Sequence, residues 1–216
     1  MFQTIPIQEI SSAAIWVPLI LAGLKWKTGD KKLRLFFAFL LFGALTDGLG
    51  WLAYVILQSD LLQDIHPYVQ FSYLWFEVLF FVWLAYSFYR TKSRVFWRKV
   101  FWIVSSLVFL IDGVNRFGPG EHNETFSAFV YSGVLVLSAF LMAFALLHLA
   151  EEKGEILREP WFWILGGIFF YCFSCFFIDM LGFTNLAEGL WPYRVILNMI
   201  QYVFFVVGLV KMSNGQ

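Results

Sequence analysis

The run Leu35–Leu57, LFFAFLLFGALTDGLGWLAYVIL, decides the fold. It holds 23 residues and one charge, Asp47. A helix needs about 20 apolar residues to cross the hydrocarbon of a bilayer, so this stretch reads as a membrane span. Similar runs recur on both sides of it. Seven spans are legible: Ser11–Leu24, Leu35–Leu57, Pro67–Tyr89, Val100–Val114, Phe126–Ala150, Pro160–Phe183 and Trp191–Lys211. The connections are short, with no linker and no low-complexity tract. Residues 1–216 therefore read as a single seven-helix transmembrane domain, all-α and polytopic.

Composition leads to the same class. Hydrophobic residues make up 60% of the 216, and charged residues only 14%, against about 25% in a soluble domain. There are 27 Phe, more apolar surface than a soluble fold of this size hides. A β-barrel would need short alternating segments, which are absent. The formal net charge is zero, which implies no acidic or basic partner and argues against nucleic acid. The N-terminus carries no Lys or Arg before Lys25, so the first span is expected to be retained rather than cleaved as a signal peptide.

The charges are ordered along the chain. Of 15 Lys and Arg, all but Arg116 and Arg194 fall in the first, third and fifth connections or at the end of the last span. The positive-inside rule then sets the N-terminus outside and the C-terminus inside. Six or eight spans would break the alternation. Trp26, Trp97, Trp161 and Trp191 fall near span ends, as interfacial anchors should. Pro18 predicts a kink in the first span. The expected location is a bacterial cytoplasmic (inner) membrane.

The third and seventh spans resemble each other. His66-Pro67-Tyr68 opens one and Trp191-Pro192-Tyr193 the other, and Glu77–Val82 (EVLFFV) aligns with Gln201–Val206 (QYVFFV). This admits a 3+1+3 parallel repeat around the fourth span, as in small transporters. Chance likeness between Phe-rich helices, with Pro at a helix start, is the competing account.

Acids inside spans carry the functional reading. Asp47, Glu77, Asp112 and Asp179 sit in apolar runs, and an ionisable group there is a functional-site hypothesis by default. Helical spacing puts polar groups on single faces: Asp47, Trp51 and Tyr54; Gln70, Tyr73 and Glu77; Tyr171, Cys175 and Asp179; Arg194, Asn198 and Gln201. Asp47, Glu77 and Gln201 lie about ten residues, or about 15 Å, from the outer ends. The expectation is one outward-opening pocket for a small ligand, lipid or ion, with Asp47 and Glu77 at its floor. Two such carboxylates cannot both carry charge cheaply in a dry site. Arg194 is the natural counter-ion for Asp179 or Asp112. Asp112, near the exit of its span, is expected to be wet. The alternative for each acid is a hydrogen bond to a neighbouring helix that serves packing alone.

Weaker signals point to structure. Cys172 and Cys175 have redox-pair spacing but sit in one apolar run, and two buried small residues are expected. His66 and His122 with Asp64 and Glu121 would make an outer metal site, although loop histidines are usually solvated. His148, at the inner end of the fifth span, is expected to reach toward the interface. Asn123-Glu124-Thr125 fits a glycosylation sequon. Gly43, Gly48, Gly50, Gly166 and Gly167 suit close helix contacts. No Lys lies mid-way along the last span, which argues against retinal chemistry. No His lies at mid-membrane depth, which argues against intramembrane zinc hydrolysis and paired-His haem. No cofactor, metal or catalytic residue is assigned.

The segment Glu159–Tyr171, EPWFWILGGIFFY, resembles the sixth helix of short, stand-alone seven-helix membrane proteins of sensor type found in Bacteroidetes. The resemblance covers one helix. It implies a small integral membrane protein that senses or accompanies a signalling partner, and it carries no catalytic residue. A receptor or sensor module acting through a partner on the cytoplasmic face is thus the first functional expectation. A small-solute transporter, with or without proton coupling, is the alternative, although the chain lacks the Pro-Gln pair of the SWEET transporters. A lipid-modifying intramembrane enzyme has the least support.

Overall fold

A computed structural model describes residues 7–27, 29–89, 94–119, 123–181 and 190–212. Among them the regular elements are all helical: α1 (Ile7–Ala14), α2 (Trp16–Leu24), α3 (Lys31–Trp51), α4 (Asp60–Tyr86), α5 (Arg94–Phe117), α6 (Glu124–Glu152), α7 (Pro160–Leu181) and α8 (Trp191–Lys211). A π-helical turn, Leu52–Ile56, continues α3. Six helices, α3 to α8, are long and apolar enough to cross a membrane. The chain is built as a multi-pass membrane protein.

The first expected span differs from the rest. Its apolar run, Glu9–Leu24, has 16 residues, about 24 Å of helix against a hydrocarbon core of about 30 Å. It is also broken between α1 and α2 at Ile15. Pro18 explains the break, because it has no N–H to give the Ala14 carbonyl. Bonding resumes with Leu19 N–H to the Ile15 carbonyl at 3.2 Å.

Helix starts follow local chemistry. The Asp30 carboxylate accepts from Leu33 N–H at 2.9 Å and caps α3. The Asn123 side chain does the same for α6, accepting from Phe126 N–H, so the sequon asparagine is occupied as a cap. Pro192 lies in the first turn of α8, where a missing N–H costs nothing. Pro67 does not open its helix as expected. α4 begins at Asp60 and Pro67 lies inside it. One proline removes one bond, and the turns on either side keep theirs. The two Pro-Tyr motifs therefore occupy different helix positions.

Hydrophobicity does not drive helices together in lipid, since the tails are as apolar as leucine, so packing must. α7 packs between α6 and α8, α4 against α3 and α6, and α2 against α3 and α8. The principal contacts form a closed ring, α2–α3–α4–α6–α7–α8, with α5 outside it against α4 and α6. Aromatic rings fill the centre. Phe39 stacks on Phe80 with centroids 4.7 Å apart, and Phe36 meets Phe205 edge-on at 4.9 Å. Such pairs add about 0.5–1.5 kcal/mol each beyond burial. Glycine permits the closest approach, of α7 to α8. A Cβ on Gly167 would lie 2.7 Å from the Phe204 Cβ, and one on Gly208 would lie 2.8 Å from the Pro160 carbonyl. Gly48, expected to serve such a contact, faces open space.

The two ends of the ring differ. At one, Lys25 donates to the Met212 carbonyl, Lys32 sits 3.8 Å over the Phe88 ring and Lys211 5.7 Å from the Trp163 ring. Arg90 and Lys92 lie outside the described residues, as do the side chains of Arg94, Trp97, Arg98 and Trp191. At the other end are Arg116, Arg194 and the acids that pair with them.

Asp112 is not wet. It is 2% exposed, accepting from Ser127 Oγ at 2.5 Å and from Arg116 Nε at 3.1 Å. Asn115 donates to the Ser127 hydroxyl and to the Asn123 carbonyl. This knot ties α5 to α6. A charge near a helix end is dry when a neighbouring hairpin arm folds over it.

Candidate functional site

A cavity of about 280 Å³ lies between α1, α3 with its π turn, and α4. Its wall takes Glu9 and Ser12 from α1, and Thr46, Asp47, Gly50 and Trp51 from α3. Tyr54 and Val55 come from the π turn, and His66, Gln70, Tyr73 and Leu74 from α4. α3 runs toward this end of the molecule and α4 away from it. Thr46, Asp47 and Tyr73 are therefore deep, and Trp51, Tyr54 and His66 lie about one to two turns nearer the end.

Local structure shapes the wall. A π turn inserts an extra residue per turn and is common beside functional sites. Here Leu57 N–H reaches the Leu52 carbonyl at 2.9 Å, and the Gln63 side chain donates to the Ala53 carbonyl at 3.2 Å. Gln58 then turns the chain with φ of 46°, a left-handed conformation costing about 1–3 kcal/mol outside glycine. Gly50 admits His66: a Cβ there would lie 2.7 Å from His66 Nε2. Tyr54 meets the same imidazole edge-on at 5.4 Å. His66 is a wall residue on a helix, not the loop histidine expected from sequence. Among the described residues no three His, Cys, Asp or Glu gather as a metal site. His122 and Glu121 lie outside them.

The wall's polar groups are mostly unengaged. Thr46 donates its hydroxyl to the Phe42 carbonyl at 2.9 Å. Among the described residues the side chains of Glu9, Ser12, Asp47, His66 and Gln70 bond to no other protein group. Among the described residues no Lys or Arg lines the cavity.

The other expected site residues lie elsewhere. Asp179 on α7 binds Arg194 on α8, with Oδ1 2.6 Å from Nη1. This is the pair the sequence expected, formed where two antiparallel helices meet across their connection. The guanidinium also lies 5.3 Å from the centre of the Tyr131 ring on α6, within cation–π range. Tyr171 and Cys175, on the same face of α7, are buried beside it, as is Cys172. Both cysteines are free. Asn198 donates to the Tyr202 hydroxyl at 3.1 Å. Gln201 is 1% exposed and its Nε2 finds no partner.

Glu77 stands between the two groups. It is 5% exposed, one turn deeper than Tyr73. Its charged neighbours are Arg194 and Asp47, and the Tyr131 hydroxyl lies beside it. Tyr202 is in electrostatic reach of both Asp47 and Glu77. Asp47, Trp51, Tyr54, Gln70 and Tyr73 thus share one cavity. Tyr171, Asp179, Arg194, Asn198 and Gln201 lie on α7 and α8, outside that cavity's lining; Tyr171 and Gln201 are buried, and Asp179, Arg194 and Asn198 are half-buried.

Sequence reasoning missed Glu9, Ser12, His66 and Tyr131. For Tyr131 a signal existed: Ser127, Tyr131 and Ser138 mark a polar stripe on α6, and Ser127 and Ser138 are buried. His148 lies 3.4 Å from a Glu152 carboxylate oxygen at the opposite end of that helix. No protein-family model, no curated protein and no solved structure matches this chain.

Proposed function

We propose that this is a seven-span bacterial inner-membrane protein, N-terminus outside and C-terminus inside, that binds a small ligand in the α1–α3–α4 cavity. It acts as a receptor or sensor module, and its basic inner end meets a signalling partner. The observation that carries this reading is the cavity's set of polar side chains without protein partners. A polar group buried for packing is normally satisfied by a neighbour. Groups left free around a cavity are placed for something that enters it. The chain from Asp47 through Glu77 to Arg194 gives an occupied cavity a physical route to α6, α7 and α8.

The test is a small-molecule screen on the full chain in nanodiscs, read by thermal unfolding. A ligand at a hundred times its Kd stabilises by about 2.7 kcal/mol, a shift of a few degrees. Hits should weaken in Asp47→Asn and Trp51→Ala. Hits unchanged in both variants place the ligand elsewhere.

A second reading, a small-solute transporter of 3+1+3 build, has its own support. Exchanging the first three spans with the last three maps the ring of helices onto itself and leaves α5 outside. Glu77 and Gln201, aligned by the repeat, are both buried, as are Phe81 and Phe205. The unequal placement of Pro67 and Pro192 counts against it. Solute flux in proteoliposomes that Glu77→Gln abolishes would favour transport. Binding without flux favours the sensor.

A further inference from the structure

We propose that the cavity is built for a small organic cation, an ammonium compound with a compact tail. This rests on reading the cavity as a ligand site and names the ligand's class. Two carboxylates line it, Asp47 deep and Glu9 on α1, with no Lys or Arg among the described residues of the wall. An anion entering would meet two like charges and no counter-charge. A metal ion would need several strong ligands at once, and no cluster of three gathers among the described residues. A neutral ligand would leave Asp47 without a charged partner, since it has none among the described residues.

The rest of the wall agrees. Trp51, Tyr54 and Tyr73 present aromatic surface, and cations are held over such rings when desolvated. Aromatic rings with a carboxylate behind them bind ammonium groups both by charge and by the ring quadrupole. Depth orders the contacts. The carboxylate of Asp47 lies inside and Trp51 and Tyr54 nearer the end, so the cation enters head first. The volume of about 280 Å³ equals the liquid volume of about nine waters, which sets a ligand on the order of ten non-hydrogen atoms.

Matched pairs of probes on the full chain in nanodiscs test this, with binding followed by tryptophan fluorescence and calorimetry. Choline is compared with dimethylbutanol, its neutral carbon isostere. Phenethylamine is compared with phenethyl alcohol and with phenylacetate. At least one amine should bind about tenfold or more tighter than its alcohol, and phenylacetate should bind weakest. Asp47→Asn should remove the preference for charge, and Trp51→Ala should weaken the amine several-fold. Glu9→Gln, at an exposed position, serves as the second variant if Asp47→Asn does not fold, and should reduce the same preference. If the alcohols bind as tightly as the amines and Trp51→Ala weakens both, the cavity is a site but not for cations. If no probe of any charge binds, the ligand-site reading fails with it.

Discussion

The α3–α4 side of the molecule and the α6–α7–α8 side both place carboxylates among Phe and Leu, and they treat them in opposite ways. On the α6–α7–α8 side Asp179 has its arginine at 2.6 Å. At the α5–α6 hairpin Asp112 has a serine and an arginine. On the α3–α4 side Asp47 borders a cavity and has no partner among the described residues. A paired acid is accounted for by the architecture, because it ties helices that lipid would not otherwise hold together. An unpaired one is not. The contrast separates acids paired across helices from the acid that the proposed ligand would meet.

The largest effect is expected on the paired side. Arg194→Ala leaves Asp179 unpartnered and deprives Glu77 of its positive neighbour. Losing a charge-assisted hydrogen bond in a half-buried pair costs about 1.5–3 kcal/mol, read as lost resistance to unfolding in mixed micelles. The double variant Arg194→Met, Asp179→Leu should recover most of it. If Arg194→Ala is neutral, the pair does not hold the helices and the contrast collapses.

Ser127→Ala comes next. It removes the hydroxyl that donates to Asp112 and accepts from Asn115. A buried carboxylate left short of a donor should cost about 1–3 kcal/mol, and Asp112→Asn in the same chain should reduce the loss. On the cavity side, Gly50→Ala drives a methyl to within 2.7 Å of His66 Nε2. The neighbour is the end of a side chain, so the cost should lie near the low end of the overpacking range, about 1 kcal/mol. His66→Ala should cancel it. The larger change should be in ligand binding, since the imidazole moves within the wall.

Sequence made the membrane class legible through length and apolarity, and it paired Asp179 with Arg194 because both fall at facing ends of adjacent spans. It could not place the pocket. Helical spacing says which residues share a face, but not which faces meet. The stripes on α3 and α4 were therefore joined with those on α7 and α8 into one cavity, and the lining of the described cavity takes only the α3 and α4 part. The π turn at Leu52–Ile56 was invisible, because a one-residue insertion leaves no compositional trace. Ser12 was missed because a single serine inside a span marks no polar face, and Glu9 because the span was expected to begin at Ser11. Its true course, broken before Pro18, brings the earlier turn against α3.

Glu77 is where the two regions either communicate or do not. It is charge-coupled to Asp47 on one side and Arg194 on the other. Glu77→Gln keeps the shape and replaces the titratable carboxyl with an amide. Ligand affinity is the informative quantity. If occupancy of the cavity is felt at Arg194 through Glu77, this substitution should shift the Kd by the few-fold to thirtyfold typical of coupling energies of about 0.5–2 kcal/mol. The shift should shrink when Arg194 is already replaced by Met, because the partner that transmits it is gone. An affinity unchanged by Glu77→Gln would make the cavity and the ion pair independent, and a sensor built on this chain would then have to pass its signal through the packing of α4 against α6.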